Sequence, residues 1–254
     1  MNDTVEETRS SAAEMSFFGH LEELRSRLFK TVAGILVACI GTGYFREEIM
    51  NKLLLGPAVR HGISLQNLEP FGQAFLYFKV IFFTGLIASS PWILFQIWSF
   101  VAPGLYLHER RWARTITVLT SLCFLMGVSF AYFLLIPSMM SYIKAVANPN
   151  IQDNISTSSY FSFFVNMLLA SGLIFELPMV TWVLARIGMV SPALMSKYRR
   201  HSIIVILIIA AIVTPTPDPV TQLMVAVPLY ILYEISVVIA RFAYKRRDEE
   251  PATP

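Results

Sequence analysis

Three glutamates that lie close to arginines have the side chains best suited to bind a charged ligand. Glu109 lies in the stretch HERR, directly after the long apolar run PWILFQIWSFVAPGLYL, and Glu22 and Glu23 lie in HLEELRSRL near the N-terminus. A carboxylate binds guanidinium through two parallel hydrogen bonds, which lysine cannot reproduce. These glutamates could therefore receive arginines from another chain.

The alternative is that these glutamates pair locally on a solvated surface, where each pair contributes about 0–1 kcal/mol. The neighbouring arginines that could form such pairs are Arg25, Arg27, Arg110 and Arg111. The residue types alone leave both interpretations open.

Three other charged residues, Lys79, Glu176 and Glu234, fall within apolar segments. Ionisable groups inside a membrane are costly and usually functional. Glu176 could serve a ligand or could be a protonated carboxyl hydrogen-bonded inside the protein, and Pro178 could let the helix bend beside it. Lys79 could extend its amino group towards the outer surface. Both alternatives also remain open for Glu234.

The elements that position these residues are predicted to be membrane helices. The chain is 55% hydrophobic and 15% charged, with a mean hydropathy of +0.58, whereas soluble domains carry about 25% charged residues. A membrane span needs about 20 residues. The apolar segments predict six spans, at roughly 28–45, 72–101, 115–137, 160–184, 201–214 and 219–240. The fifth is too short to cross an undisturbed bilayer, which predicts local thinning or protein-lined surroundings.

The positive-inside rule orients these spans. With six spans, 15 of the lysines and arginines lie on the side of the two termini and four lie on the other side. Both termini and the HERR stretch are therefore predicted to be cytoplasmic. We expect a disordered cytoplasmic tail at 1–15, a membrane domain at 16–244 and a second tail at 245–254. An amphipathic helix with Phe17, Leu21, Leu24 and Leu28 on one face is expected to lie along the cytoplasmic interface before the first span.

The sequence gives little support for other classes of protein. It contains no nucleotide-binding, zinc-protease or nucleophile motif, and its four histidines are scattered. We therefore expect no enzymatic activity, no metal and no cofactor. The net charge of +3 is spread over loops and does not suggest nucleic acid. Cys39 and Cys123 lie in apolar spans and follow no metal or redox spacing, so we interpret them as structural thiols.

Four collinear motifs resemble the TatC family, the signal-peptide receptor of the twin-arginine protein translocase. They are HLEELRSRL at 20–28, SPWILFQIWSFVAPGLYLHERR at 90–111, FELP at 175–178 and TPTPDPVTQLMVAVPLYILYE at 214–234. The resemblance covers about residues 16–245. It implies an all-α protein of the bacterial cytoplasmic (inner) membrane, with six helices in a concave wall and short fifth and sixth helices.

The resemblance also implies a function and roles for particular residues. The protein would bind the twin-arginine signals of folded precursors and support their export, driven by the proton-motive force. Its expected partners are TatA- and TatB-type single-span subunits, other TatC copies and membrane lipid. The matched signal-binding positions are Glu109, Glu23, Arg25 and Phe100. Glu176 matches a polar position on the concave side, and Asp218 and Gln222 match positions linked to assembly or translocation; Glu234 joins them as a candidate intramembrane residue.

Two other functions are weighed against this one. An ion-coupled secondary transporter could use Glu176 as its coupling carboxylate, although such proteins carry inverted repeats and broken central helices, which the sequence does not show. A purely structural membrane scaffold would have no use for acidic residues on a basic cytoplasmic face.

Overall fold

A computed structural model describes the backbone of residues 3–101, 110–148, 155–214 and 218–249, with side chains for 18–100, 115–148, 155–214 and 218–244. Helices make up almost all of this part of the chain. In chain order they are α1 (Asp3–Tyr44), α2 (Arg46–Glu48), α3 (Leu55–Arg60), α4 (Gly72–Ala88), α5 (Ser90–Val101), α6 (Arg110–Phe130), α7 (Ile136–Val146), α8 (Thr157–Ile174), α9 (Leu177–Arg186), α10 (Pro192–Lys197), α11 (Arg199–Val213) and α12 (Pro219–Glu249). Two π-helical stretches, Ile49–Leu54 and Ala131–Leu135, precede α3 and α7.

The helix that contains the first span begins much earlier than the sequence predicted. One continuous helix, α1, replaces the expected disordered tail at 1–15 and the separate interfacial helix. Residues 3–18 contain no glycine or proline, so nothing in the backbone interrupts the helix at the expected boundary near residue 16. At its outer end α1 turns by 76° into the segment Arg46–Arg60.

The predicted second span, 72–101, is a bent pair of helices rather than one tilted helix. Helices α4 and α5 meet at 52° around Ser89. Pro91 cannot donate the backbone hydrogen bond that would continue α4. The Ser89 hydroxyl donates to the Leu86 carbonyl at 3.1 Å, and the amides of Trp92 and Ile93 both donate to the Ser89 carbonyl. The bend is therefore built into the sequence SSPW.

The third and sixth spans run further than predicted. Helices α6 and α7, joined by the π-helical stretch, provide an apolar segment from Thr115 to Val146. Helix α12 has 31 residues, so the expectation that both final helices are short is wrong for the sixth. It is confirmed for the fifth, because α11 has only 15 residues.

The fourth span breaks where the sequence predicted a bend. Helix α8 ends at Ile174 and α9 starts at Leu177, with Glu176 at the junction and Pro178 in the first turn of α9.

Each span packs mainly against one or two neighbouring spans. Helix α1 packs on α4 and α5, α5 on α6, α6 on α8, α9 on α12, and α12 on α11. Within the described ranges, three helices are long and apolar enough to cross a membrane, and the number rises to five if each bent pair is one span. The short α11 then completes the six predicted spans. The all-α polytopic membrane architecture is confirmed.

The outer ends of the spans are tied together by a small pairing of extended segments. Strand β1 (Leu65–Gln66) runs parallel to β2 (Ile155–Ser156), and the Thr157 hydroxyl donates to the Gln66 carbonyl at 3.0 Å. Below this pairing the Tyr160 hydroxyl donates to the Leu54 carbonyl at 2.8 Å. The main apolar core lies in this outer half, around fully buried Ile136 and Met167.

Small residues let the third and fourth spans approach closely. A Cβ on Gly127 would lie 2.5 Å from the Ser171 carbonyl oxygen and 2.9 Å from the Gly172 Cα. The Ser171 hydroxyl donates to the Gly127 carbonyl across this contact at 2.8 Å. Interhelical hydrogen bonds beside small residues are typical of helices packed in lipid.

Candidate functional site

The predicted signal-binding residue Glu23 lies on α1 and holds an arginine of its own chain. Arg27, one turn further on, donates to Glu23 Oε1 from Nε at 2.9 Å and from Nη2 at 2.6 Å. Arg27 Nη1 also lies 3.5 Å from Oε1 of Gln96 on α5. The local pairing considered from the sequence is therefore present for Glu23, and it faces the second span.

Phe100 lies beside the same stretch of α1. Its ring stacks on the imidazole of His20, with the ring centroids 4.4 Å apart. His20 and Glu23 are one helical turn apart, so Phe100 and Glu23 flank the same face of α1. The structure thus brings two of the four predicted signal-binding residues together.

Arg25 does not join this face. Its guanidinium carbon lies 5.7 Å from the ring centroid of Phe29, a cation–π contact within α1. It lies two positions from both Glu23 and Arg27, and such positions point to different sides of a helix. The structure therefore does not group Arg25 with Glu23 and Phe100.

Glu109 lies outside the described residues, as do the side chains of Arg110 and Arg111. Phe100 is near the last described residue of α5, and α6 begins at Arg110. Glu109 therefore lies in the connection between α5 and α6. The position of its side chain relative to Glu23 stays a prediction.

Trp92 fixes the angle between α1 and α5. Its indole Nε1 donates to the Lys30 carbonyl at 2.9 Å. A Cβ on Gly34 would lie 2.3 Å from Trp92 Cδ1, so only glycine admits the indole at this point of α1. Together with Gln96, this contact holds the face that carries Glu23 against the second span.

Glu176 lies at the break between α8 and α9, buried to 8% exposure. Its Oε1 has no hydrogen-bond partner within the described part of the chain. The break leaves the Glu176 carbonyl as the acceptor for the Val180 amide at 2.9 Å. A purely structural carboxyl would be expected to have a hydrogen-bond partner, and Glu176 Oε1 has none among the described residues. The interpretation that Glu176 serves a ligand therefore stays open.

Glu234 on α12 has a structural partner. Arg199 at the start of α11 donates to Glu234 Oε2 at 2.8 Å, and the Tyr230 hydroxyl donates to Oε1 at 3.0 Å. Directly before Glu234 in α12, the Tyr233 hydroxyl donates to the Met195 carbonyl at 2.8 Å. These contacts join the inner ends of the last two spans.

Asp218 and Gln222 occupy the outer end of the same pair of spans. Asp218 Oδ1 accepts from the amides of Val220 at 3.1 Å and Thr221 at 2.9 Å, so it caps α12 as its position before Pro219 predicted. Gln222 Nε2 donates to the Leu207 carbonyl of α11 at 2.9 Å. Asp218 therefore stabilises the start of α12, and Gln222 joins α12 to α11.

Sequence reasoning missed His20, Gln96 and Trp92. Gln96 is the one amide side chain in the run PWILFQIWSF, and it is buried to 4% exposure. A polar residue in an apolar helix usually has a partner, which is the signal that could have identified it. Over the part of the chain that the structure describes, no group of three or more acidic, histidine or cysteine residues could hold a metal ion.

Comparison with known proteins gives consistent matches. The model of the TatC family, described as Sec-independent protein translocase protein, matches residues 19–228. The chain is 34% identical to the TatC protein of Halothiobacillus neapolitanus over 96% of this chain and 66% of that protein. It is 32% identical to TatCy of Bacillus subtilis over 96% of both chains. A crystal structure of the twin-arginine translocase receptor TatC superimposes with a TM-score of 0.78 at 32% identity, covering 88% of this chain and 99% of that one.

Proposed function

Because this chain belongs to the TatC family of Sec-independent protein translocase proteins, we propose that it is a receptor for twin-arginine signal peptides. The peptide binds on the cytoplasmic face, where Glu23 and Glu109 receive the two signal arginines. Phe100 provides an aromatic surface beside them. Arg25 lies on another side of α1. It adds positive charge to the cytoplasmic face and does not contact the signal arginines.

The observation that supports this function best is the contact between Glu23 and Arg27. It places two guanidinium N–H donors within 3 Å of one carboxylate oxygen, the chemistry that a signal arginine needs. No hydrogen bond engages Glu23 Oε2 among the described side chains, so this oxygen is available to a second guanidinium. Arg27 and Gln96 orient the carboxylate for that contact.

The energy of binding comes from two kinds of interaction. Charge-assisted hydrogen bonds contribute about 1.5–3 kcal/mol each, whereas micromolar affinity needs about 8 kcal/mol. The apolar part of the signal supplies the remainder, at about 0.8 kcal/mol per buried CH₂. The exposed apolar surfaces of α4 and α5 suit this part of the signal. The arginines thus determine specificity and the apolar segment determines much of the affinity.

The proposed partners are TatA- and TatB-type subunits with one span each, and other TatC copies. Glu176 offers an unpartnered buried carboxyl oxygen to such a partner or to the moving precursor. Gln222 and Glu234 act by keeping α11 on α12, and Asp218 acts by capping α12. With these partners the protein supports export driven by the proton-motive force.

Photocrosslinking tests the proposal directly. A photoreactive amino acid at position 23 or 109 is expected to crosslink to a precursor that carries a twin-arginine signal, and much less to its twin-lysine variant. Glu23→Gln should weaken binding of the twin-arginine signal at least ten-fold more than that of the twin-lysine signal, since lysine does not use the bidentate contact.

Glu22→Gln is the matched control, because Glu22 is exposed and adjacent to Glu23. It should leave both signals bound as in the wild type. Equal losses for the two signals in Glu23→Gln, or no signal-dependent crosslink from either position, would exclude the arginine-receptor mechanism. The second result would leave the ion-coupled transporter with Glu176 as the function to examine.

A further inference from the structure

A cavity of about 300 Å³ lies at the outer ends of the second and fourth spans, away from the signal-binding face. The N-terminal turns of α4 and α8 open into it, and the segment Met50–Leu55 closes one side. Its volume is at the low end for ligand pockets, which run about 300–1,000 Å³. Its size therefore fits a small polar group better than a whole lipid or a protein helix.

One part of the cavity is suited to an anion. Lys79 lines it together with Gln73 at the start of α4 and Ser158 at the start of α8. Helix α8 has no side-chain cap, since Ser156 at its capping position forms no such hydrogen bond. The first amide of α4, that of Gly72, already donates to the Glu69 carbonyl at 3.0 Å. An uncapped helix N-terminus offers backbone N–H groups and positive partial charge, which favour phosphate. The start of α8 and a lysine therefore line one cavity.

A second part of the cavity is suited to a cation. Glu69 also lines it, as do the amide side chains of Asn51 and Asn67. The Glu69 amide donates to Asn67 Oδ1 at 3.4 Å. Within the described residues neither Glu69 nor Lys79 forms an ion pair. Two unpaired opposite charges around one cavity match a ligand that carries both a phosphate and an ammonium group.

The surroundings of Lys79 indicate that this ligand comes from the bilayer. Lys79 is seven residues into α4, about 10 Å along the helix, a depth at which lysine reaches lipid headgroups. Phe75, Phe78 and Phe82 follow the same side of α4 and are 59%, 72% and 50% exposed. An acyl chain can lie on these rings while its headgroup enters the cavity.

We propose that this cavity binds the headgroup of an outer-leaflet phospholipid that carries a primary ammonium, the phosphatidylethanolamine class. The phosphate lies at Lys79 and the N-terminus of α8. The ammonium donates to the Glu69 carboxylate. The acyl chains follow the phenylalanine face of α4. The bound lipid joins the second span to the fourth at their outer ends.

Native mass spectrometry of the purified full-length protein tests this site. Wild type, Lys79→Gln, Glu69→Gln and Lys52→Gln are titrated with phosphatidylethanolamine, phosphatidylglycerol and phosphatidylcholine of identical acyl chains. Lys52→Gln is the matched control, because Lys52 lies on the same side of the membrane but pairs with Glu48 at 3.4 Å. Thermal unfolding and gel filtration of each variant show whether it is folded.

We expect a different pattern of lipid affinities for each variant. Wild type should bind phosphatidylethanolamine best, since the trimethylated ammonium of phosphatidylcholine has no N–H donor. Lys79→Gln should weaken the binding of phosphatidylethanolamine and of phosphatidylglycerol about ten-fold. Glu69→Gln should abolish the preference for phosphatidylethanolamine over phosphatidylglycerol, and Lys52→Gln should change neither affinity.

Three outcomes would overturn the proposal. One is equal affinity of the wild type for all three lipids, and another is unchanged binding by a folded Lys79→Gln. The third is displacement of the lipid by soluble phosphoethanolamine at the same concentration, which would show that the ligand is not taken from the bilayer. Each readout is independent of signal-peptide binding.

Discussion

The close contact between the third and fourth spans predicts that Gly127→Ala destabilises the protein. The added Cβ would lie 2.5 Å from the Ser171 carbonyl oxygen and 2.9 Å from the Gly172 Cα. Both opposing atoms belong to backbone, so no flexible side chain can move aside. Helices α6 and α8 must separate.

The expected net cost follows from two opposed effects. Overpacking costs about 1–3 kcal/mol, whereas replacing glycine by alanine inside a helix stabilises it by about 0.5–1 kcal/mol. Gly127→Ala should therefore destabilise the protein by up to about 2.5 kcal/mol. Separation of the helices also lengthens the 2.8 Å hydrogen bond from Ser171 to Gly127.

Thermal unfolding in detergent, with Gly41→Ala as the control, measures this effect. Gly41 lies inside α1, and a Cβ there would have no atom within 4 Å. The control should be neutral or slightly stabilising, so the two substitutions should shift the melting temperature in opposite directions. A melting temperature for Gly127→Ala at or above that of Gly41→Ala would refute the close backbone contact.

Three other experiments test contacts described above. Trp92→Phe removes the hydrogen bond to the Lys30 carbonyl and should destabilise the protein by about 0.5–1.5 kcal/mol in thermal unfolding; no change would show that the indole N–H does not brace α1. Asp218→Ala removes the cap of α12 and should cost about 1 kcal/mol, whereas Asp218→Asn should retain most of the stability; equal losses would point to a role of the charge itself. A double-mutant cycle with Glu234→Gln and Arg199→Gln should give a coupling below about 1 kcal/mol, because both partners are partly exposed; a larger value would mean that the pair is desolvated in the membrane.

The six spans and their helical type could be predicted from local sequence. Long apolar runs separated by charged loops located all six spans, Pro178 marked the break beside Glu176, and Asp218 before Pro219 marked the start of α12. These features depend on residues close together in the chain. The bend after Ser89 has an equally local cause in Pro91, but the length of the apolar run concealed it.

The parts that could not be predicted depend on contacts between distant residues. Glu23 and Arg27 are four residues apart and could be paired from the sequence, whereas Gln96 contacts Arg27 from 69 residues away. Similarly, nothing local indicates that Lys79 and Glu69 share a cavity with the start of α8. The extra helical residues at 3–15 reflect the absence of a helix breaker, which composition alone did not reveal.

The short helix α11 has a consequence for biosynthesis. Its 15 residues extend about 22 Å, less than the hydrocarbon thickness of about 30 Å. Its principal packing partner is α12, which follows it in the chain, and the bonds from Gln222 and Glu234 that hold it also come from α12. When the ribosome has just completed α11, this helix therefore has neither the length nor the neighbour to stay in the bilayer. The last two spans must leave the insertion machinery as a pair.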